Sequence, residues 1–290
     1  MQLTVTPNDN IQYLLDQIPL DETITLFLTN GIYHQKITLR HHHLVMIGES
    51  HQAVLSYNDH ALKFHSDGLL MNTFRTQTLL ILGDHITIKN LTIQNTSGKG
   101  QKIGQAIALS TYGDETRIQN CILKSTQDTL FLGPLPEDLR SRYTHILAEE
   151  ELSARPLTHY VFDTIIEGDI DFIFGSSDAF FDHCTIISNG NGYVTAPSTH
   201  PKSSFGLVFN ECQFKSIGSF QILLGRPWRS LGRATFIHSK FEYPVLPNRY
   251  DDWDKPAYFF KELPYVSSIH SKPVSESMFK SILEIIASKR

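Results

Sequence analysis

Phe181-Asp182-His183-Cys184-Thr185-Ile186 is one copy of a short phrase that recurs along the chain. The phrase sets an apolar residue, a small or apolar one three positions later, and another apolar one two further on. It is read first at Ile88, Leu91 and Ile93, then at Ile118, Cys121 and Leu123. It returns at Val161, Thr164 and Ile166, at Phe209, Cys212 and Phe214, and at Phe236, Ser239 and Phe241. Most copies carry Asn, Asp, His or Glu just ahead of the central position. The apolar residues alternate within each copy, which favours strands over helices. Recurrence at roughly 20–30 residues indicates a solenoid. We therefore expect an all-β chain folded as a right-handed parallel β-helix, with the three cysteines stacked inward as small hydrophobes. A β-propeller fits less well, because blades keep a more constant period.

The ends of the chain predict short capping helices. Asp9-Asn10 precedes Ile11, Leu14, Leu15 and Ile18, a helical spacing that stops at Pro19. Over 275–290, Ser275 or Ser277 can cap a helix carrying Met278, Phe279, Ile282, Ile285 and Ile286. No internal linker is seen, so residues 1–290 read as a single domain. The stretch 134–160, with its Pro134-Leu135-Pro136 start and its Glu149-Glu150-Glu151 run, is too long for a turn. We read it as a solvated surface insertion beside the Asp128 coil, in preference to a lid or cleft wall.

Composition narrows the function classes. The 290 residues carry a net charge of −5 with no basic block, which argues against nucleic acid or an anionic membrane as partner. An anionic substrate must then be met by a few placed cations. No apolar run is long enough to span a bilayer. Met1 to Asn10 lacks a charged region followed by an apolar core, so a cytoplasmic chain is expected, with secretion after removal of a leader as the alternative. Cys121, Cys184 and Cys212 form neither a disulfide framework nor a metal spacing. His41-His42-His43 reads as an exposed polar patch, not as a metal pair of His41 and His43.

Two carboxylates stand out. Gln127-Asp128-Thr129-Leu130 and Asp171-Phe172-Ile173-Phe174-Gly175 each set an Asp in an apolar, strand-like run, where an unpaired charge is costly. Gly104-Gln105-Ala106-Ile107-Ala108-Leu109 and Leu224-Gly225-Arg226-Pro227-Trp228 add further polar groups. If Gly104–Leu109 is a strand, Gln105, Ile107 and Leu109 share a face. Successive coils of a β-helix lie about 4.8 Å apart, so distant residues can line one groove. Two close carboxylates do not ionise together easily: one can act as acid, the other as base or nucleophile. Glutamine amides can donate to an oxyanion. Arg226 can hold an Asp or bind a substrate carboxylate, and Trp228 offers a flat face to a sugar. Any one of these Asp or Gln residues taken alone is better explained by a structural ladder, and Arg226-Pro227-Trp228 alone reads equally well as a turn with a packed aromatic.

These four segments, in this order, resemble the pectin methylesterases (pectinesterases) of carbohydrate esterase family 8. Gly31-Ile32-Tyr33 and Tyr193-Val194-Thr195-Ala196 extend the resemblance, which spans most of Ile11 to Glu262. It implies the same β-helix. It implies hydrolysis of galacturonate methyl esters in homogalacturonan or oligogalacturonides, with no metal or organic cofactor. Asp171 would be the nucleophile and Asp128 the acid and then the base. Gln127 and Gln105 would stabilise the oxyanion, and Arg226 would orient Asp171. Trp228, Phe174 and Thr73 would contact the sugar. We expect a monomer. The pattern departs from the family at Gln35, where Glu is usual, at Arg249-Tyr250, where a Gly-Trp signal is degraded although Trp253 remains, and at the absent Gly-Pro-Gly-Ala-like segment near the end. No Gly-x-Ser-x-Gly elbow is present, which disfavours a serine esterase. A lyase or glycosidase on the same fold, a non-catalytic carbohydrate-binding β-helix, and an esterase or thioesterase of other substrates are the competing readings.

Overall fold

A computed structural model describes all 290 residues. The chain coils through three parallel sheets of eleven, seven and eight strands. One turn of the coil shows the plan. Ile173–Gly175 lies in the seven-stranded sheet, Asp178–Asp182 in the eleven-stranded sheet and Thr185–Ser188 in the eight-stranded sheet. The chain then re-enters the seven-stranded sheet at Gly192–Pro197, in register with Ile173–Gly175. This is the expected parallel β-helix.

The recurring phrase marks the corner between the eleven- and eight-stranded sheets. The polar residue ahead of each central position is the corner itself. Asn90, Asn120, Asp163, His183, Glu211 and His238 all have left-handed backbones, with φ of 58, 49, 50, 55, 50 and 47°. Asn, Asp and His tolerate that region better than other side chains. The corners also stack: Asn90 Nδ2 donates to the Gly48 carbonyl, and Asn120 Nδ2 donates to Asn90 Oδ1. Just past the corner, Leu91, Cys121, Thr164, Cys184 and Cys212 point inward and are buried. The cysteines are free thiols. Phe181, Phe209 and Phe236 continue the interior as a column of stacked rings 4.5 and 5.0 Å apart.

The helix Ile11–Asp16 is capped by Asn10, whose side chain accepts from the Tyr13 N–H. Its Ile11 and Leu15 join the interior cluster. The helix Glu276–Lys289, capped by Ser275, lies against the outer face of the eleven-stranded sheet. There Ile282 and Ile286 pack with Tyr160, Phe162, Phe180, Val208 and Ile237.

Several local expectations are corrected. Gly104–Leu109 is not a strand; only Leu109–Thr111 is. Ile107 packs outside the coil with Phe131, while Ala108 and Leu109 pack inside, so Ile107 and Leu109 do not share a face. His41 is buried with Nε2 at 3.0 Å from the Ile18 carbonyl oxygen, and His43 stacks on His85 instead, so the two histidines form neither a metal pair nor one exposed patch. Gln35 serves the fold: its amide accepts from the Ile11 N–H and donates to the Asp9 carbonyl. The 134–160 insertion is not a solvated bulge. Leu135, Leu139 and Leu147 pack on Phe74, Phe131 and Phe174 over the outer face of the seven-stranded sheet, which makes the segment a wall.

Candidate active site

The seven-stranded sheet positions the site. Asp128 and Asp171 each stand two residues ahead of a strand, Leu130–Leu132 and Ile173–Gly175, whose first residues pair with one another. The two carboxylates therefore sit on neighbouring rungs. Neither is inside a strand, contrary to expectation. Both occupy the corner before it, with φ of 65 and 50°. Their N–H groups are fixed by the next coil: Asp128 donates to the Ile170 carbonyl and Asp171 to the Tyr193 carbonyl. A left-handed non-glycine corner costs about 1–3 kcal/mol and persists where the surroundings enforce it. Here those hydrogen bonds hold two short acids at the rim of the sheet. The last residue of the Asp171 motif, Gly175, is required: a Cβ there would stand 2.0 Å from the Leu132 carbonyl oxygen.

Arg226 follows the strand Ile222–Gly225 and reaches back to Asp171. Its Nε donates to Oδ1 at 2.9 Å and its Nη2 to Oδ2 at 2.6 Å, a two-pronged charge-assisted pair. The guanidinium lies between two rings, 4.1 Å from the centroid of Tyr193 and 3.8 Å from that of Trp253. One carboxylate links the two segments that carry the rings. Asp251 Oδ2 accepts from the Tyr193 hydroxyl at 3.1 Å, and its Oδ1 accepts from the backbone N–H of Trp253 at 2.6 Å.

Asp128 has no such partner. It is 7% exposed, and Asp171 is 8% exposed, so both are nearly dry yet open to the cleft. Burial pushes Asp128 well above the usual carboxylate range, and the neighbouring Asp171 charge pushes further. Burial also raises Asp171, but the Arg226 hydrogen bonds and charge oppose it. The shared proton therefore belongs on Asp128 and the shared negative charge on Asp171.

All eight residues singled out from the sequence line one cleft of about 360 Å³. Asp128, Asp171 and Arg226 supply its charged groups together with Arg142 and Arg229. The carbonyl of Gln127 accepts from the Ala106 N–H, which sets Gln105 and Gln127 side by side. Neither amide side chain is engaged within the protein, so both are free to donate. Trp228 packs edge-on to Phe174 with centroids 5.5 Å apart, and Thr73 opens the short 3₁₀ turn Thr73–Arg75 at the rim. No group of three or more His, Cys, Asp or Glu is placed to hold a metal ion.

The pectinesterase family model matches residues 8–135 and 150–276. The chain belongs to the pectinesterase family. The break between the two matched stretches falls on the wall-forming insertion. Pectinesterase 31 of Arabidopsis thaliana is 28% identical over 255 residues, covering 84% of this chain and 73% of that protein. Pectin methylesterase PemA from Erwinia chrysanthemi superposes with a TM-score of 0.77 at 21% identity, over 96% of this chain and 94% of that one. A pectin methylesterase solved in complex with a hexasaccharide gives 0.73 at 21% identity, over 93% and 90% of the two chains.

Within the pectinesterase frame, the sequence reading missed part of the cleft. Leu139, Arg142 and Tyr143 of the insertion form one wall, and Trp253 closes the Arg226 side. A signal for the wall was present. Leu135, Leu139, Tyr143 and Leu147 recur every four residues inside the charged run. Trp253 was noted only as the remnant of a degraded family signal, and Asp251 had no signal, because their role exists only once the chain folds back over Arg226.

Proposed function

We propose that this pectinesterase-family chain hydrolyses the methyl ester of a galacturonate unit in homogalacturonan or its oligosaccharides. The observation that carries the reading is the asymmetry of the two acids: Asp171 is held as an anion by Arg226, and Asp128 is buried beside it without a counter-ion.

The asymmetry suits a two-step acyl transfer. A carboxylate oxygen of Asp171 attacks the ester carbonyl carbon, and the carbonyl oxygen takes up negative charge. The free amides of Gln105 and Gln127 are disposed to donate to that oxyanion. The tetrahedral adduct collapses, the bond to the methoxy oxygen breaks, and the Asp128 carboxylic acid gives its proton so that methanol leaves. An anhydride now joins the substrate acyl group to Asp171. The Asp128 carboxylate takes a proton from water, which attacks the same acyl carbon. Asp171 leaves as the carboxylate and Asp128 is again protonated. Trp228, Phe174 and Thr73 border the place for the sugar, and a relative solved with a hexasaccharide supports a saccharide ligand.

Methanol release from methylated oligogalacturonides of graded length, with chain length followed by chromatography, tests the reading. One methanol per ester lost with chain length unchanged is expected. Chain cleavage points to a glycosidase or lyase, and binding without methanol points to a carbohydrate-binding module; either result overturns the proposal.

A further inference from the structure

A second cavity, of about 460 Å³, lies on a different face from the ester cleft. Its floor is made by two paired strands of the eleven-stranded sheet, Gly232–Ile237 and Tyr258–Leu263. Arg233 pairs with Phe259 and Thr235 with Lys261, while Ala234, Phe236 and Phe260 point into the core. Four side chains thus stand outward in a square. Loop residues 201–205 form one wall, and Met278 of the C-terminal helix forms another.

The cavity is cationic and has no acid to neutralise it. Lys202, Arg233 and Lys261 line it, no carboxylate does, and none of the three forms an ion pair. The Lys261 ammonium, which has three protons to donate, finds only the Met278 sulfur at 3.3 Å, a weak acceptor. Lys272 is paired in register with Lys261 and adds another positive charge. Burial, then Arg233 and Lys272, depress the Lys261 pKa, the mark of a cation short of a counter-charge. Ser203 lines the cavity, is 5% exposed and has a hydroxyl with no partner. Arg233 is held in place by its hydrogen bond to the Ser203 carbonyl and by the Phe259 ring 5.2 Å away. Phe259 is 41% exposed, which gives the cationic floor an apolar platform.

Cations beside an exposed ring suit a carboxylated sugar, the carboxylate on Lys261 and Arg233 and the sugar face on Phe259. In a chain of net charge −5 such a patch is local and built. It also has a neighbour on the way to the ester cleft. A groove of about 300 Å³ shares Arg229 with the ester cleft and Pro201 with this cavity. We propose that the cavity formed by Arg233, Lys261 and Phe259 is a second saccharide site, which binds a free uronate residue of a de-esterified chain. The choice of a uronate rests on the proposed function, whose product is that carboxylate; the cationic cavity does not.

The test is calorimetric titration of the full chain with fully de-esterified trigalacturonate at low salt. The variants are Lys261→Gln, which leaves the cleft untouched, and Trp228→Ala, which impairs it. Two classes of site are expected. Lys261→Gln should weaken one of them roughly tenfold, as expected for loss of one charge-assisted hydrogen bond, and keep wild-type methanol release from a short methylated substrate. Trp228→Ala should spare the class that Lys261→Gln weakens. Absence of any Lys261-sensitive binding overturns the inference. So does inorganic phosphate that displaces trigalacturonate from that class at equal concentration, since the cavity would then be a general oxyanion site. Failure of the functional reading is recorded separately, as no methanol from wild type, and Lys261-sensitive binding would still stand.

Discussion

Arg226 grips both oxygens of Asp171, at 2.9 and 2.6 Å, while its flat face lies between Tyr193 and Trp253. The pair fixes which of two neighbouring acids carries the negative charge, and with it the division of labour in the proposed reaction. Arg226→Lys keeps the charge but loses the fork. We expect kcat to fall about 100-fold with the fold intact, since a misplaced reacting group costs on that order. Steady-state methanol release alongside circular dichroism checks it.

Asp251 stands one step further back, holding the Tyr193 hydroxyl and the backbone N–H of Trp253. Asp251→Asn keeps the shape and weakens both hydrogen bonds. The expected result is a fall in kcat of roughly tenfold with little change in KM, because the change reaches the reaction through the orientation of Arg226. The chain has two tryptophans, so the fluorescence of a Trp228→Phe background reports any change around Trp253 when its turn loosens.

The pH dependence follows from the two acids. The first step of the proposed reaction needs Asp171 ionised and Asp128 protonated, so kcat/KM should be bell-shaped with both limbs belonging to the coupled pair. For stability the sign is definite. Asp128 has a folded pKa above its unfolded one. Below the unfolded value both states are protonated and there is no penalty. As pH rises toward the folded value, the unfolded chain ionises first and folding loses stability. Asp128→Asn should therefore raise Tm at pH 7 by a few degrees, leave it nearly unchanged near pH 3, and abolish turnover. Calorimetry at the two pH values checks this.

The wall has its own titration. Burial pushes Glu151 up to about 7, against the pull of the Ala148 N–H that its Oε2 accepts. Its other oxygen and the Tyr112 hydroxyl nearby are buried without partners. Because the folded pKa lies above the ordinary glutamate value of 4.5, the wall should be firmest below about pH 4.5 and loosen as pH approaches 7. Amide exchange over residues 137–152, corrected for intrinsic rates, should show more opening at pH 8 than at pH 5. Glu151→Gln should remove most of the difference.

How far the sequence could be read follows from what each feature depends on. The repeat was legible because a coil repeats the same environment, so apolar residues recur and corners keep polar residues such as Asn90 and His183. Asp128 and Asp171 were legible as oddities among apolar neighbours. Their place at a left-handed corner was not, since an apolar run looks the same whether it continues as a strand or turns first. The insertion misled because its charges outnumber its leucines, while the leucines decide where it packs. The clasp of Asp251, Tyr193 and Trp253 joins segments 58 residues apart and left no local pattern.

The central claim is that Asp171 attacks the ester. Asp171→Asn is close in shape and cannot supply a carboxylate nucleophile. Methanol release from a methylated oligogalacturonide, measured for wild type and Asp171→Asn at equal folded concentration, is the direct test. The account predicts steady release by wild type and none above background by Asp171→Asn, with substrate binding retained. Release by Asp171→Asn at a rate near that of wild type would contradict it.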